Sequence, residues 1–181
     1  MIPIKKLIDL MAKQNIAQSS DLVGVSYTEI QAMQAYFQVE FPVIYKEFLS
    51  RCGRSAGHLA GWSAIYFDDL KEIAEEFQFC LAAINTQKPC NNPLPQKALL
   101  IAHYENHFDY IICDAKTPEV YRISFCNDRT QVSQFSQCFS TYMESMINAA
   151  ASSNDQVAPF FIDECGNMIK DDLQIEAPVV D

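Results

Sequence analysis

The stretch His103-Tyr104-Glu105-Asn106-His107 carries the side chains best suited to metal chemistry. On a β-strand, residues two apart lie on one face, so His103, Glu105 and His107 would project together. Two imidazoles and a carboxylate can bind zinc or non-haem iron, and such a site would support a small metal-dependent hydrolase. A turn at 106–107 would break this alignment, and a fourth ligand is not evident. The sequence therefore favours a solvated hairpin end without a metal.

A cysteine nucleophile has weaker support. Cys113 is followed by Asp114 at the end of a predicted strand, and the chain has three histidines that could serve as a base. No G-x-S-x-G elbow or comparable motif accompanies them. The glycines of 53–61 do not have the spacing of a phosphate-binding loop. We therefore predict no catalytic residue, no cofactor and no enzymatic activity.

The seven cysteines are an odd number and include no C-x-x-C pair. Most lie within apolar runs, which is typical of buried, reduced thiols. Because disulfides persist in oxidising compartments, this cysteine usage favours the cytoplasm. A signal peptide is not expected, since charged and amide residues from Asp9 to Asn15 interrupt the N-terminal apolar segment. No stretch approaches the roughly 20 apolar residues of a membrane span.

The net charge of the chain indicates which class of macromolecule it could bind. The 181 residues include 13 Lys and Arg against 23 Asp and Glu, which gives a formal net charge of −10. Nucleic-acid backbones and anionic membranes attract basic proteins, so neither is the expected partner. An acidic surface instead suits a basic protein, whose association it would accelerate.

The densest acidic face lies on a predicted helix whose apolar stripe runs from Leu70 to Ile84. The opposite side of this helix carries four carboxylates, namely Asp69, Glu72, Glu75 and Glu76. These carboxylates are either ordinary solvent-exposed residues or part of a binding site for a basic protein. Trp62, the single tryptophan, is either a core residue or an interface anchor. These five residues form the candidate partner-binding set.

The first half of the chain predicts helices. Helices are predicted over 3–14, 26–38 and 42–52, followed by a glycine-rich loop at 53–61 and a strand at 62–67. Ser26 and Glu29 have the spacing of a capping box, which would start the second helix. Gly53 would end the third helix in the left-handed conformation that glycine adopts cheaply.

The second half predicts an antiparallel meander. Strands are predicted over Ala98–Tyr104, Phe108–Cys113 and Val120–Phe125. A helix is predicted from Phe135 or Ser136 to Ile147, followed by a linker at 149–154. A hairpin within 159–169 would turn at Gly166-Asn167. Short connections between consecutive strands favour antiparallel pairing. The sequence therefore predicts an α+β domain over 1–150, with a meander sheet packed against helices, and an acidic C-terminal extension over 151–181.

Four stretches resemble motifs of the SUKH superfamily, which includes the yeast cell-wall synthesis regulator domain and many bacterial immunity proteins. They are Phe37–Leu49, similar to the LP-x-x-Y-K-x-F-L helix motif; Ile65–Ile73, similar to a strand-to-helix step; Leu99–Tyr121, similar to the three-strand meander; and Ser136–Met143, similar to the closing helix. The resemblance spans residues 26–148. Two loops depart from the pattern, because Arg51-Cys52-Gly53-Arg54 replaces Asn-Gly-Gly and Glu105-Asn106-His107 replaces a glycine turn.

The resemblance implies a non-catalytic module that binds protein. Many members of the superfamily are immunity proteins that neutralise a partner toxin, and this is the function that the resemblance favours. An intracellular regulatory scaffold, as in the eukaryotic branch, is the alternative. No catalytic residue is implied for this chain, and binding faces vary among members. The metal-dependent hydrolase stays open as an alternative from the residues themselves.

Overall fold

A computed structural model describes residues 2–61, 63–87, 92–126 and 129–152, together with two short strands at 161–162 and 168–169. Within these residues the helices are α1 (Ile4–Lys13), α2 (Tyr27–Phe37), α3 (Val43–Cys52), α4 (Leu70–Gln87) and α5 (Phe139–Ser152). The strands are β1 (Leu22–Val23), β2 (Ser55–Ala56), β3 (Ala98–Tyr104), β4 (His107–Ile112), β5 (Val120–Cys126), β6 (Arg129–Ser136), β7 (Phe161–Ile162) and β8 (Met168–Ile169).

The central sheet is an antiparallel meander in the order β3-β4-β5-β6. β1 and β2 pair separately, as do β7 and β8. Each connection within the meander joins sequence neighbours, which is the arrangement that short turns permit. The predicted α+β class, with a meander flanked by helices, is confirmed.

In the described part of the chain, α4 is the helix that covers one face of the meander. The buried apolar residues of this layer are Ile73, Phe77, Leu81, Leu100, Phe108, Tyr110, Ile123 and Phe125. At its centre the Phe77 ring lies 5.3 Å from the Phe108 ring and 5.5 Å from the Phe125 ring, measured between centroids. The contact with Phe108 is edge-to-face, a favourable geometry for aromatic pairs.

The opposite face is covered by the other helices. Residues of α1, α2, α3 and α5 form a second core with Leu99, Ile101, Ile111 and Val120 of the sheet. The Phe41-Pro42 corner directs Tyr45 of α3 toward α5, where its ring centroid lies 5.3 Å from that of Phe139. Because both faces are buried, β3 and β4 have nearly continuous apolar runs rather than a clean alternation.

The first and last helices of the domain pack together. The backbone N–H of Ile2, just before α1, donates to Ser140 Oγ of α5 at 3.3 Å. Near the other end of α1, Gln14 Nε2 donates to Asn148 Oδ1 at 2.9 Å. Buried side chains of both helices, including Met11 and Ile147, belong to the same core. The N-terminal helix therefore completes its burial only against α5.

The predicted capping box at the start of α2 is confirmed. Glu29 N–H donates to Ser26 Oγ at 3.3 Å, and Ser26 N–H donates to Glu29 Oε2 at 3.2 Å. Arg54 also donates to Glu29 Oε1 at 2.8 Å and to Asp68 Oδ2 at 3.1 Å. These hydrogen bonds, from Arg54 first and then Ser26, lower the pKa of Glu29 to about 2. Arg54 thus ties together α2, the 53–61 segment and the start of α4.

Gly53 is required for space rather than for a left-handed turn. Its φ is −69° and its ψ is −15°, so the prediction of a left-handed helix stop is wrong. A Cβ at this position would lie 2.6 Å from the Leu49 carbonyl oxygen and 2.9 Å from Val25 Cγ2. Within the predicted loop 53–61, Ser55 and Ala56 form β2 and pair with β1. Of the strand predicted at 62–67, the described residues 63–67 form a single bridge, between Ala64 and His103.

The sequence missed strand β6. Phe135 and Ser136, predicted to open a helix, are instead the last residues of β6, and α5 begins at Phe139. Residues 131–134 are exposed, so the strand lacks the alternation that identifies half-buried strands. Helix α5 also continues to Ser152, into the predicted linker. Around the predicted C-terminal hairpin, β7 pairs with β8, while the turn at 166–167 lies outside the described residues. The boundary at 150–151 stays a prediction.

Among the residues that the structure describes, no helix combines the length and the apolarity needed to cross a membrane.

Substitution of two phenylalanines of α4 should affect the free energy of unfolding very differently. Phe77 is 0% exposed and Phe79 is 70% exposed. Phe77→Ala would leave a cavity against the sheet and lower the free energy of unfolding by about 3–5 kcal/mol. Phe79→Ala would change it by less than about 0.5 kcal/mol. Urea denaturation measures both, and equal losses would contradict the orientation of α4 described here.

Candidate protein-binding face

The register of the β3–β4 hairpin separates the two histidines of the candidate metal set. His103 pairs with Phe108, and Tyr104 pairs with His107. Because paired residues share a face and neighbouring residues alternate, His103 and His107 lie on opposite faces of the sheet. The turn begins at Glu105, one residue earlier than predicted, and Glu105 has a φ of 50° outside both strands. The alternative in which these three side chains share one face is therefore excluded, and the turn that was expected to break the alignment is present.

Each histidine is held by its own local contacts. His103 Nε2 donates to the Glu105 carbonyl at 2.6 Å, and its ring stacks on Phe108 with centroids 4.2 Å apart. His107 Nδ1 is hydrogen-bonded to Ser124 Oγ at 2.8 Å, and burial lowers the pKa of His107. Across the described part of the chain, no three His, Cys, Asp or Glu side chains are grouped so as to hold a metal ion.

A buried ionic network that the sequence did not reveal lies on the α5 side of the sheet. Arg122 Nε and Nη2 donate to Asp109 Oδ1 and Oδ2 at 2.6 and 2.8 Å. Tyr142 of α5 donates to the same carboxylate at 3.0 Å. The Arg122 guanidinium carbon lies 3.9 Å from the centroid of the Phe135 ring. The network therefore joins β4, β5, β6 and α5, and its two charges satisfy each other.

A small cavity lies beside this network. Its volume is about 30 Å³, and its lining combines residues of the network with Ser63, Ala102, His103, Tyr104, His107 and Met146. Such a volume admits water but not an organic substrate. The charged groups that border it are already paired in the bidentate geometry that Arg and carboxylates prefer. The arrangement is that of a structural polar network.

The cysteines with described side chains are free thiols, namely Cys52, Cys80, Cys113 and Cys138. Cys113, the weak nucleophile candidate, is buried, and burial raises its pKa to about 12. A thiol with such a pKa is protonated at neutral pH and is a poor nucleophile. Burial likewise raises the pKa of Cys52 to about 12. Both residues behave as small apolar side chains of the core.

The structure divides the four predicted carboxylates of α4 into two pairs. Asp69 Oδ2 accepts the Tyr66 N–H at 2.9 Å, and Glu76 lies half-buried beside Cys80. Glu72 and Glu75 are exposed, and neither forms a salt bridge within the described residues.

The nearest cation on α4 is turned away from this pair. The ammonium of Lys71 lies 4.5 Å from the centroid of the Tyr36 ring, a cation–π contact with α2. The one cation of α4 therefore does not neutralise Glu72 or Glu75. Trp62, the fifth residue of the candidate set, lies outside the described residues.

Phe79 occupies the middle of the solvent side of α4. It is 70% exposed, and it follows Glu72, Glu75 and Glu76 by seven, four and three residues. At these spacings the side chains are neighbours on one helical surface. We call Glu72, Glu75, Glu76 and Phe79 the α4 outer face. The sequence signal for Phe79 is its position off the buried stripe of Leu70, Ile73, Phe77 and Leu81, which sequence analysis overlooked.

The antiparallel meander with helices on both faces defines an α+β domain of the SUKH type. Residues 24–145 match the SMI1 / KNR4 family (SUKH-1), and the chain belongs to this family. The match agrees with the predicted resemblance over 26–148. SUKH domains generally bind partner proteins. A search of curated proteins found no match to this chain.

The buried ion pair predicts an unequal response to two aspartate substitutions. Asp109→Ala would leave the Arg122 charge buried without its partner, and we expect the free energy of unfolding to fall by about 3–5 kcal/mol. Asp114→Ala is the control, because its pair with Lys97 is more than half exposed on both sides. That loss should be about 0–1 kcal/mol. Chemical denaturation would contradict the assignment if the two losses were equal.

Proposed function

We propose that this chain is an immunity-type protein that binds a basic toxin domain through the α4 outer face and blocks the toxin's active site. The observation that carries the proposal is Phe79, a large aromatic side chain that is 70% exposed on the helical surface it shares with Glu72, Glu75 and Glu76. Aromatic residues are enriched among the anchors of protein interfaces, and charges are concentrated at the rim. The α4 outer face has both features.

The aromatic and the acidic side chains would contribute to binding in different ways. Burying an exposed phenylalanine in a partner's pocket contributes about 1.5–3 kcal/mol through the hydrophobic effect. Glu72 and Glu75, which form no salt bridge with the described residues, would attract a basic surface and raise the association rate. The net charge of −10 adds a long-range attraction of the same sign.

Neutralisation in this proposal is steric and electrostatic, and it requires neither catalysis nor a cofactor. The proposed compartment is the cytoplasm, where thiols such as Cys80 and Cys138 stay reduced. The regulatory-scaffold alternative differs in what it predicts for binding, because it would give several weak partners rather than one stoichiometric partner.

The primary experiment is an affinity capture with three baits: the wild-type protein, the Phe79→Ala variant and the Glu72→Lys/Glu75→Lys variant. Mass spectrometry would identify what co-elutes from native lysate at low and high salt. The proposal expects one stoichiometric basic protein that is lost at high salt and depleted from both variants. A partner that all three baits retain equally would contradict the assigned face, and several weak partners would favour a scaffold.

Charge reversal on the α4 outer face should slow association with the captured partner. The Glu72→Lys/Glu75→Lys double variant should lower kon by roughly tenfold or more at low ionic strength, with a smaller effect as salt screens the charges. Surface plasmon resonance at several salt concentrations measures this rate.

The matched control is Asp9→Lys/Glu144→Lys, which changes two carboxylates on α1 and α5, across the sheet from α4. Both double variants shift the formal net charge from −10 by +4, to −6. A local role requires that the control keep most of the wild-type kon. Equal slowing in both variants would assign the effect to net charge and not to this face.

Removal of the aromatic anchor should act on dissociation. Phe79→Ala should raise koff by roughly 30-fold, the equivalent of an interface hot spot of about 2 kcal/mol, with little change in kon. Val43→Ala is the control, since Val43 is 78% exposed on α3, across the sheet from α4. An unchanged koff for Phe79→Ala would remove Phe79 from the interface.

A further inference from the structure

Strand β6 forms an open edge of the central sheet. In the described part of the chain, β6 pairs with β5 on one side and no strand pairs with its other side. It spans Arg129–Ser136 and has no proline, no lysine and no carboxylate, and its one formal charge is at its first position. An edge strand leaves alternate N–H and C=O groups directed outward, and charges or prolines normally protect such an edge. β6 lacks these protections.

The opposite edge of the same sheet, strand β3, is partly covered by another segment of the chain. Ala64 pairs with the outer side of β3, because Ala64 N–H donates to the His103 carbonyl at 3.0 Å and His103 N–H donates back at 2.9 Å. Such a covering segment blocks strand addition. Both edge strands carry a register shift, between Leu100 and Ala102 in β3 and around Phe135 in β6, but the shift in β6 lies beyond residues 130–134. Residues 130–134 of β6 are therefore the part of the two edges that is available for pairing.

The side chains along this edge suit self-association. Gln131, Ser133 and Gln134 are exposed and can hydrogen-bond, and Val132 is 48% exposed. We propose that a second copy of this chain pairs antiparallel with β6 about a two-fold axis at Val132, which joins the two sheets. Val132 of one copy then faces Val132 of the other, and Thr130 faces Gln134. No like charges oppose each other in this pairing, whereas opposed like charges would destabilise it.

A second copy fits this edge better than a basic partner does. The exposed segment 131–134 has no carboxylate to attract a basic surface. An isologous interface requires a self-complementary patch, which a neutral strand with a central valine provides. Because each copy carries a net charge of −10, the copies repel at long range, and added salt should strengthen the dimer. A complex with a basic toxin should show the opposite salt dependence.

Sedimentation equilibrium of the full chain over a range of protein and salt concentrations tests this proposal. We expect a monomer–dimer equilibrium that shifts toward dimer as salt increases. Val132→Lys should weaken dimerisation by at least roughly tenfold, because it places two lysines opposite each other and removes the apolar contact. Val23→Lys is the matched control, since Val23 is 47% exposed on the short strand β1. It should dimerise like the wild type.

Hydrogen exchange then locates the contact. The backbone amides of 130–134 should become protected as protein concentration rises, and Val132→Lys should abolish that dependence while its thermal unfolding stays near that of the wild type. A monomer at every concentration would overturn the proposal. So would a dimer that Val132→Lys leaves unchanged, or concentration-independent protection of 130–134 in a monomer, which would indicate pairing with a segment of the same chain.

Discussion

The burial of both faces of the meander is the constraint on which the rest of the structure depends. Among the described residues, α4 is the one helix on the first face, and four helices share a second core on the other. A helix that covers a sheet by itself buries one stripe and leaves its opposite side free of packing requirements. Phe79 therefore cannot be explained by the core, and the exposed side of α4 is available for recognition.

The interactions of the few basic residues determine the charge on the exposed side of α4. Arg122 is paired with a buried carboxylate, and Arg54 is paired with two partly exposed carboxylates, Glu29 and Asp68. Lys71 lies against an aromatic ring. In a chain with 23 acidic and 13 basic residues, these three cations are therefore already engaged away from Glu72 and Glu75. The geometry of the histidines on the β3–β4 hairpin provides no comparable basis for metal chemistry.

Sequence reasoning recovered the features that depend on periodicity and local chemistry. The apolar stripes of α3 and α4, the capping box at Ser26 and the meander of β3 to β5 follow from spacing alone. Strand β6 was not predicted, because its exposed polar residues give no period-two signal. The pairing of Asp109 with Arg122 requires strand register, which composition does not give. The position of Phe79 off the predicted stripe of α4 can be read from the sequence, but its 70% exposure comes from the structure.

The packing of α1 against α5 has a consequence for the time at which the domain can form. During synthesis, α1 is made first, whereas the helix that completes its burial ends at Ser152. The sheet and α4 form a separate apolar layer whose strands are neighbours in the sequence, so that layer can assemble from local contacts. The N-terminal helix must wait for the end of α5 to leave the ribosome. Until then it presents Ile4, Leu7 and Met11 to solvent or to chaperones.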